Sequence, residues 1–158
     1  MSLKIKGLED TLKELERLNK NTPTMLEDTV NAGVQIATDE MRKQINMLKT
    51  SEEKPKKGQK RYPTKKEVDG LKESLGFTPV RWNDTLLDAN AGFDGYNNQK
   101  TKRYPNGHAN QMIANSINAG TSFMQAQPFI RKAANAAKTT AIAEMQKKLN
   151  EEIERASQ

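Results

Sequence analysis

Residues 24–49 read TMLEDTVNAGVQIATDEMRKQINMLK. Leu26, Val30, Val34, Ala37, Met41, Ile45 and Leu48 recur at steps of 4, 4, 3, 4, 4 and 3. Such a stripe repeats about every 3.67 residues, close to the natural winding of a straight helix. The stretch therefore predicts a helix of roughly 39 Å, at about 1.5 Å per residue. Gly33 and Ala37 leave room for another element to come close.

Upstream, Leu8, Leu12, Leu15 and Leu18 sit at helical spacing among charged residues, which predicts a short amphipathic helix over by Asn21. Thr22-Pro23-Thr24 reads as a stop and restart. Pro23 suits a first helical position, and Thr24 with Glu27 makes a capping box. Downstream, Leu75 and Phe77, then Val80 and Trp82, then Leu86 or Leu87 leading to Ala89, Ala91 and Phe93, read as strands with a turn at Asn83-Asp84. Pro79 has no N–H for a ladder, so the first strand should be an edge, bulged or broken there. Asp94-Gly95 and Asn106-Gly107 are turn signals, and residues 94–110 read as a polar loop. Met112, Ile113 and Ile117 suggest a short helix or strand. A last helix over about 128–156 starts at Pro128, with Ile130, Ala134, Ala137, Ala141, Met145, Leu149 and Ile153 on its apolar face. Its alanine-rich first half would pack at short range. Segregated helices and strands argue an α+β class: two long helices and a short N-terminal helix packed on a small antiparallel β-sheet.

The chain has 158 residues, one domain's worth. Hydrophobic residues are only 34% and charged residues 29%, so the core should be modest and the loops polar. No apolar run is long enough to span a membrane, and the opening residues lack an apolar core of signal-peptide length. Without cysteine, disulfides and thiolate chemistry are excluded. With His108 as the single histidine, so is any site needing two imidazoles.

The net charge is +6, and residues 50–66 concentrate it: Lys54, Lys56, Lys57, Lys60, Arg61, Lys65 and Lys66 stand against Glu52 and Glu53. With Pro55, Gly58, Pro63 and little apolar surface, this segment is expected to be a mobile loop over about 50–67. Its simplest role is solvation; the sharper reading is contact with DNA phosphates or an acidic partner. Lys60-Arg61-Tyr62-Pro63 recurs as Lys102-Arg103-Tyr104-Pro105. Two copies make no repeat architecture, yet each sets a cation beside a ring able to stack on a base or pack against a partner. Chance recurrence is the simpler explanation.

Catalytic constellations are not apparent: there is no phosphate-cradling loop, dinucleotide fingerprint or nucleophile elbow. His108 lies in a polar loop with no carboxylate close in sequence and reads as a surface histidine. Glu151, Glu152 and Glu154 read as a solvated helix end, and Asp84, Asp88 and Asp94 lack the ligand pattern of a calcium loop. The expectation is a protein without catalytic residues, cofactor or metal.

Gly120-Thr121-Ser122-Phe123-Met124-Gln125-Ala126-Gln127-Pro128-Phe129-Ile130-Arg131-Lys132-Ala133 resembles the most recognisable motif of the small neck, or head–tail joining, proteins of long-tailed bacteriophages, also called minor tail or tail-completion proteins. In that family a Gly-Thr-Ser is followed by a Pro-Phe-aliphatic-Arg that opens a long C-terminal helix. Ile5 to Leu8, the Val30–Ile45 helix, Leu71 to Leu75 and Ala91-Gly92-Phe93 resemble the family's other elements in the same order. This chain departs from the pattern in two expanded loops, 50–66 and 94–110. The resemblance implies a structural virion protein, assembled in a host bacterial cytoplasm, that forms a homo-hexameric ring between a head-closure or connector protein and a tail terminator or tail tube protein, with genome DNA in the channel. The motif also reads physically as a rigid hinge presenting a helix: Gly120 permits a backbone denied to other residues, Pro128 fixes helix entry, and Phe129 is a large anchor that must be buried. Gly120, Thr121, Ser122, Pro128, Phe129, Ile130 and Arg131 are candidates for a subunit contact, with an internal corner as the equal alternative. The other reading is a small basic nucleic-acid-binding protein.

Overall fold

A computed structural model describes residues 8–83 and 86–157. Four helices and four short strands follow one another: α1 (Leu8–Asn46), α2 (Lys65–Ser74), β1 (Leu75–Phe77), β2 (Arg81–Asn83), β3 (Leu86–Asp88), β4 (Ala91–Phe93), α3 (Asn110–Ala119) and α4 (Phe129–Ser157). The class is α+β, as expected. Asp84 of the expected turn and Ile5 of the family-like opening lie outside the described residues.

Helices α1 and α4 run antiparallel. Met145 of α4 lies against Gly33 of α1, so close that a Cβ on Gly33 would stand 2.5 Å from the Met145 sulfur. Ile45 at one end of α1 shares a core with Phe129 and Ala133 at the start of α4. Met25 lines a hollow with Glu152 and Ala156 near its end. Small side chains make this approach possible: Ala133 and Ala137 are almost fully buried.

Two expectations about α1 need correcting. The short N-terminal helix is not separate: α1 is continuous for 39 residues with Pro23 inside it. Proline removes the N–H that would bond the carbonyl of Asn19 and crowds that carbonyl, at a cost of about 3 kcal/mol. The buried residues just beyond it, Met25 and Thr29, belong to the face that packs on α4 and keep the helical register. The buried face is also rotated from the apolar stripe. Met25, Thr29, Gly33, Val34, Thr38, Met41 and Ile45 are buried, whereas Leu26, Val30 and Ala37 are only half-buried. Thr29 and Thr38 enter the interface because each hydroxyl donates to the carbonyl four residues back, Met25 and Val34, at 2.8 Å. On α4 the inward line is Phe129, Ala133 and Ala137, not Ala134, which is exposed.

The strands form one interrupted hairpin. Leu75, Gly76 and Phe77 pair antiparallel with Phe93, Gly92 and Ala91, and Arg81, Trp82 and Asn83 pair with Asp88, Leu87 and Leu86. Residues 78–80 face only residues 89–90, so the arm carrying Pro79 holds one extra residue. This is the bulge that Pro79 demanded.

Helix α2 was not foreseen. Thr64 and Glu67 form a capping box: the Thr64 hydroxyl accepts the Glu67 N–H, and the Glu67 carboxylate accepts the Thr64 N–H at 2.8 Å. Val68 and Leu71 go into the core. The basic loop is thus shorter than 50–67, and Lys65 and Lys66 are exposed first-turn residues of a helix.

Candidate functional site

The corner before α4 is held from four sides. Gly120 has φ +75°, and a Cβ there would stand 2.9 Å from the Ala126 Cβ; the left-handed backbone and the close approach both call for glycine. The Thr121 hydroxyl accepts the N–H groups of Phe123 and Met124 at 3.3 and 3.0 Å. The Gln127 side chain accepts the Lys49 N–H at 2.8 Å and donates to the Lys49 carbonyl at 3.0 Å, tying the corner to the end of α1. Phe129 is 2% exposed and meets Phe93 edge-on at 6.1 Å between ring centres. Asn118 reaches from α3 to accept the Ile130 N–H at 3.0 Å, serving the first turn of α4 directly after Pro128.

Of the residues expected at a subunit contact, Gly120, Thr121, Phe129 and Ile130 are therefore occupied inside the chain. Ser122, Pro128 and Arg131 face outward, with Phe123 beside them 58% exposed.

The seven cations of the basic segment divide into two groups. Lys54, Lys56, Lys57 and Lys60 are exposed around a turn in which Gln59 donates to the Lys56 carbonyl, and Lys65 and Lys66 are exposed on α2. Arg61 is different. Its N–H donates to the Phe123 carbonyl at 2.8 Å and its own carbonyl accepts the Gln125 N–H at 2.9 Å, so residues 60–62 lie along the corner like a short parallel strand. Its guanidinium grips Glu67 with two bonds of 2.8 and 2.9 Å. Burial pushes the Glu67 carboxyl up, but the Arg61 guanidinium and the Thr64 N–H and hydroxyl outweigh it and hold the carboxyl below the usual carboxylate range. Arg61 is a structural ion pair, not a spare charge.

Charge is unevenly distributed in the second half of the chain as well. From Gly95 to Ala143 the sequence has no acidic residue, but has Lys100, Lys102, Arg103, Arg131, Lys132 and Lys138. The fold sets much of this stretch beside the basic segment. Arg103, Tyr104 and His108 share a cleft of about 450 Å³ with Arg61, Glu67, Phe123 and Met124. Thus Arg61 from the first Lys-Arg-Tyr-Pro stretch and Arg103-Tyr104 from the second line one opening. Tyr62 goes elsewhere, to a hollow with Lys49, Gln127 and Lys132. Alternation along the strand-like segment sends Arg61 and Tyr62 to opposite sides.

Loop 94–109 is built, not merely polar. Asn97 accepts the His108 N–H at 2.8 Å, its own N–H donates to the His108 carbonyl at 2.9 Å, and Gly107 takes φ +90° against the Asn97 carbonyl. His108 stacks at a tilt on Tyr104, 4.2 Å between centres. Among the described residues, no three His, Cys, Asp or Glu side chains gather to hold a metal, and no helix is long and apolar enough to cross a membrane. No protein-family model, curated protein or solved structure matches this chain.

Proposed function

We propose that this chain is a structural virion protein of a phage head–tail connector, a subunit of a ring that joins the capsid portal assembly to the tail. The observation that carries the reading is the corner at 120–130. The residues of the family-like motif clamp α1, α3 and α4 together through Gly120, Thr121, Gln127 and Phe129. A stiff joint presenting a long helix suits a subunit valued for its shape. A closed ring needs a heterologous contact, one face of each copy against a different face of the next. Exposed apolar side chains outside the core supply material for such faces: Trp82 is 50% exposed, Phe77 42% and Ile142 48%. Nothing in the reading requires catalysis, a cofactor or a membrane. The partners would be further copies, a head-closure or connector protein, and a tail terminator or tail tube protein. Native mass spectrometry and negative-stain imaging of the purified chain, alone and with connector particles, test this: closed cyclic oligomers on either sample are expected, and monomers throughout would contradict it.

One observation favours a second reading, binding of nucleic acid. Arg61, which follows the exposed lysines at 54–60, lines one cleft with Arg103, which follows Lys100 and Lys102 in the acid-free stretch. Neutralising Lys54, Lys56, Lys57 and Lys60 together should weaken DNA binding and flatten its salt dependence if this reading holds. An unchanged salt slope would count against it.

A further inference from the structure

We infer that the cleft between loop 94–109 and the 120–127 corner binds unpaired nucleic acid, with a base stacked among its rings and phosphates on Arg103 and the exposed lysines of its loop. This deepens the nucleic-acid reading and does not depend on ring formation.

The cleft combines two features that a single strand needs: aromatic faces and a cationic track. On one wall, Tyr104 and His108 stack at 4.2 Å, with the Arg103 guanidinium 5.8 Å from the Tyr104 ring centre. On the other, Phe123 is 58% exposed, although it carries a large ring, and the Arg61 guanidinium lies 5.9 Å from its centre. Met112, 48% exposed, adds a soft apolar surface in the same cleft. At about 450 Å³ the opening falls within the range of small-ligand sites, roughly 300–1,000 Å³.

The charges favour an anion. Among the described residues Glu67 is the one carboxylate lining the cleft, and Arg61 already neutralises it through two hydrogen bonds. Arg103 therefore remains as net positive charge, with Lys100 and Lys102 exposed on the same loop. Asn97, Gln99 and Ser116 add amide and hydroxyl groups that can reach base edges. A duplex keeps its bases stacked on each other, so exposed rings inside a cleft add nothing to its binding. An unpaired strand can use both the rings and the cations.

The test is fluorescence anisotropy of the full chain with fluorescein-labelled oligothymidylate and with a duplex of the same length, each across a salt series. The oligothymidylate should bind more tightly than the duplex. Phe123→Ala should weaken the single strand roughly 5- to 150-fold, the usual range for one lost stacking partner, and leave duplex binding unchanged. Phe123→Trp should restore it. Because Phe123 is mostly exposed, Phe123→Ala should keep the circular dichroism spectrum and melting temperature of the parent. Arg103→Gln should lower the salt slope by about one contact. Equal or tighter duplex binding, no effect of Phe123→Ala, or equal competition by polyglutamate would each overturn the proposal, the last by showing a site for any acidic chain. Oligomer mass is measured separately, so failure here leaves the ring reading standing, and failure of the ring leaves this result intact.

Discussion

Single residues decide the joint between the two long helices. Phe129 is a full-sized ring sealed among Phe93 and the core, so Phe129→Ala should cost about 3–5 kcal/mol, read by chemical denaturation. Gly120→Ala should also destabilise, because the backbone is left-handed there and the added methyl meets Ala126. A loss below a few tenths of a kcal/mol would show that the corner yields. The Arg61–Glu67 pair makes stability depend on pH. Its carboxyl is depressed in the folded chain relative to the unfolded value, about 4.3. The contribution is therefore complete above that value and is lost as pH falls through the lower folded one. Glu67→Gln should cost about 1.5–3 kcal/mol at neutral pH, since hydrogen bonds to charged groups carry that much, and should flatten the stability profile on the acid side. An identical acid profile in wild type and variant would contradict this assignment. At this scale the sequence was partly legible. Phe129 was readable as an anchor because so large a ring has to be covered. Arg61 was not readable as a structural residue, because its partner Glu67 belongs to a helix hidden behind a run of lysines.

Among the elements, legibility followed the strength of the local pattern. The long apolar stripes predicted both major helices, and Pro79 predicted the irregularity in the hairpin. Pro23 misled, since its local cost was weighed without the packing that follows it. Pro23→Ala should stabilise the chain by up to about 3 kcal/mol and leave the helix content no lower, by denaturation and far-ultraviolet circular dichroism. A loss of stability would mean that the proline ring itself serves the α1 geometry. Helix α2 was not foreseen: Thr64-Lys65-Lys66-Glu67 spells a capping box, but the lysine-rich, proline-containing stretch around it has the composition of a solvated loop. The rotation of the α1 face was beyond the pattern. Thr29 and Thr38 look polar in sequence, yet satisfying their hydroxyls on their own helix makes them tolerable in an interface.

In the whole molecule, shape and charge come together: two long antiparallel rods are locked at a stiff corner, with cations on the loops around it. The class could be read from the order of helices and strands. The meeting of Arg61 with Arg103 and Tyr104 in one cleft could not, because it depends on a long-range bridge between Arg61 and the corner. The absence of acids from Gly95 to Ala143 is legible in the sequence, but its meaning depends on the fold that sets Arg103 beside Arg61. The claim on which the functional account rests is a place in the joint between head and tail. Quantitative mass spectrometry of purified phage particles, paired with immunogold imaging against this chain, measures it directly. A small fixed copy number per particle, consistent with one ring, and label confined to the junction are expected. Particles free of the chain, or label spread along capsid or tail, would contradict it.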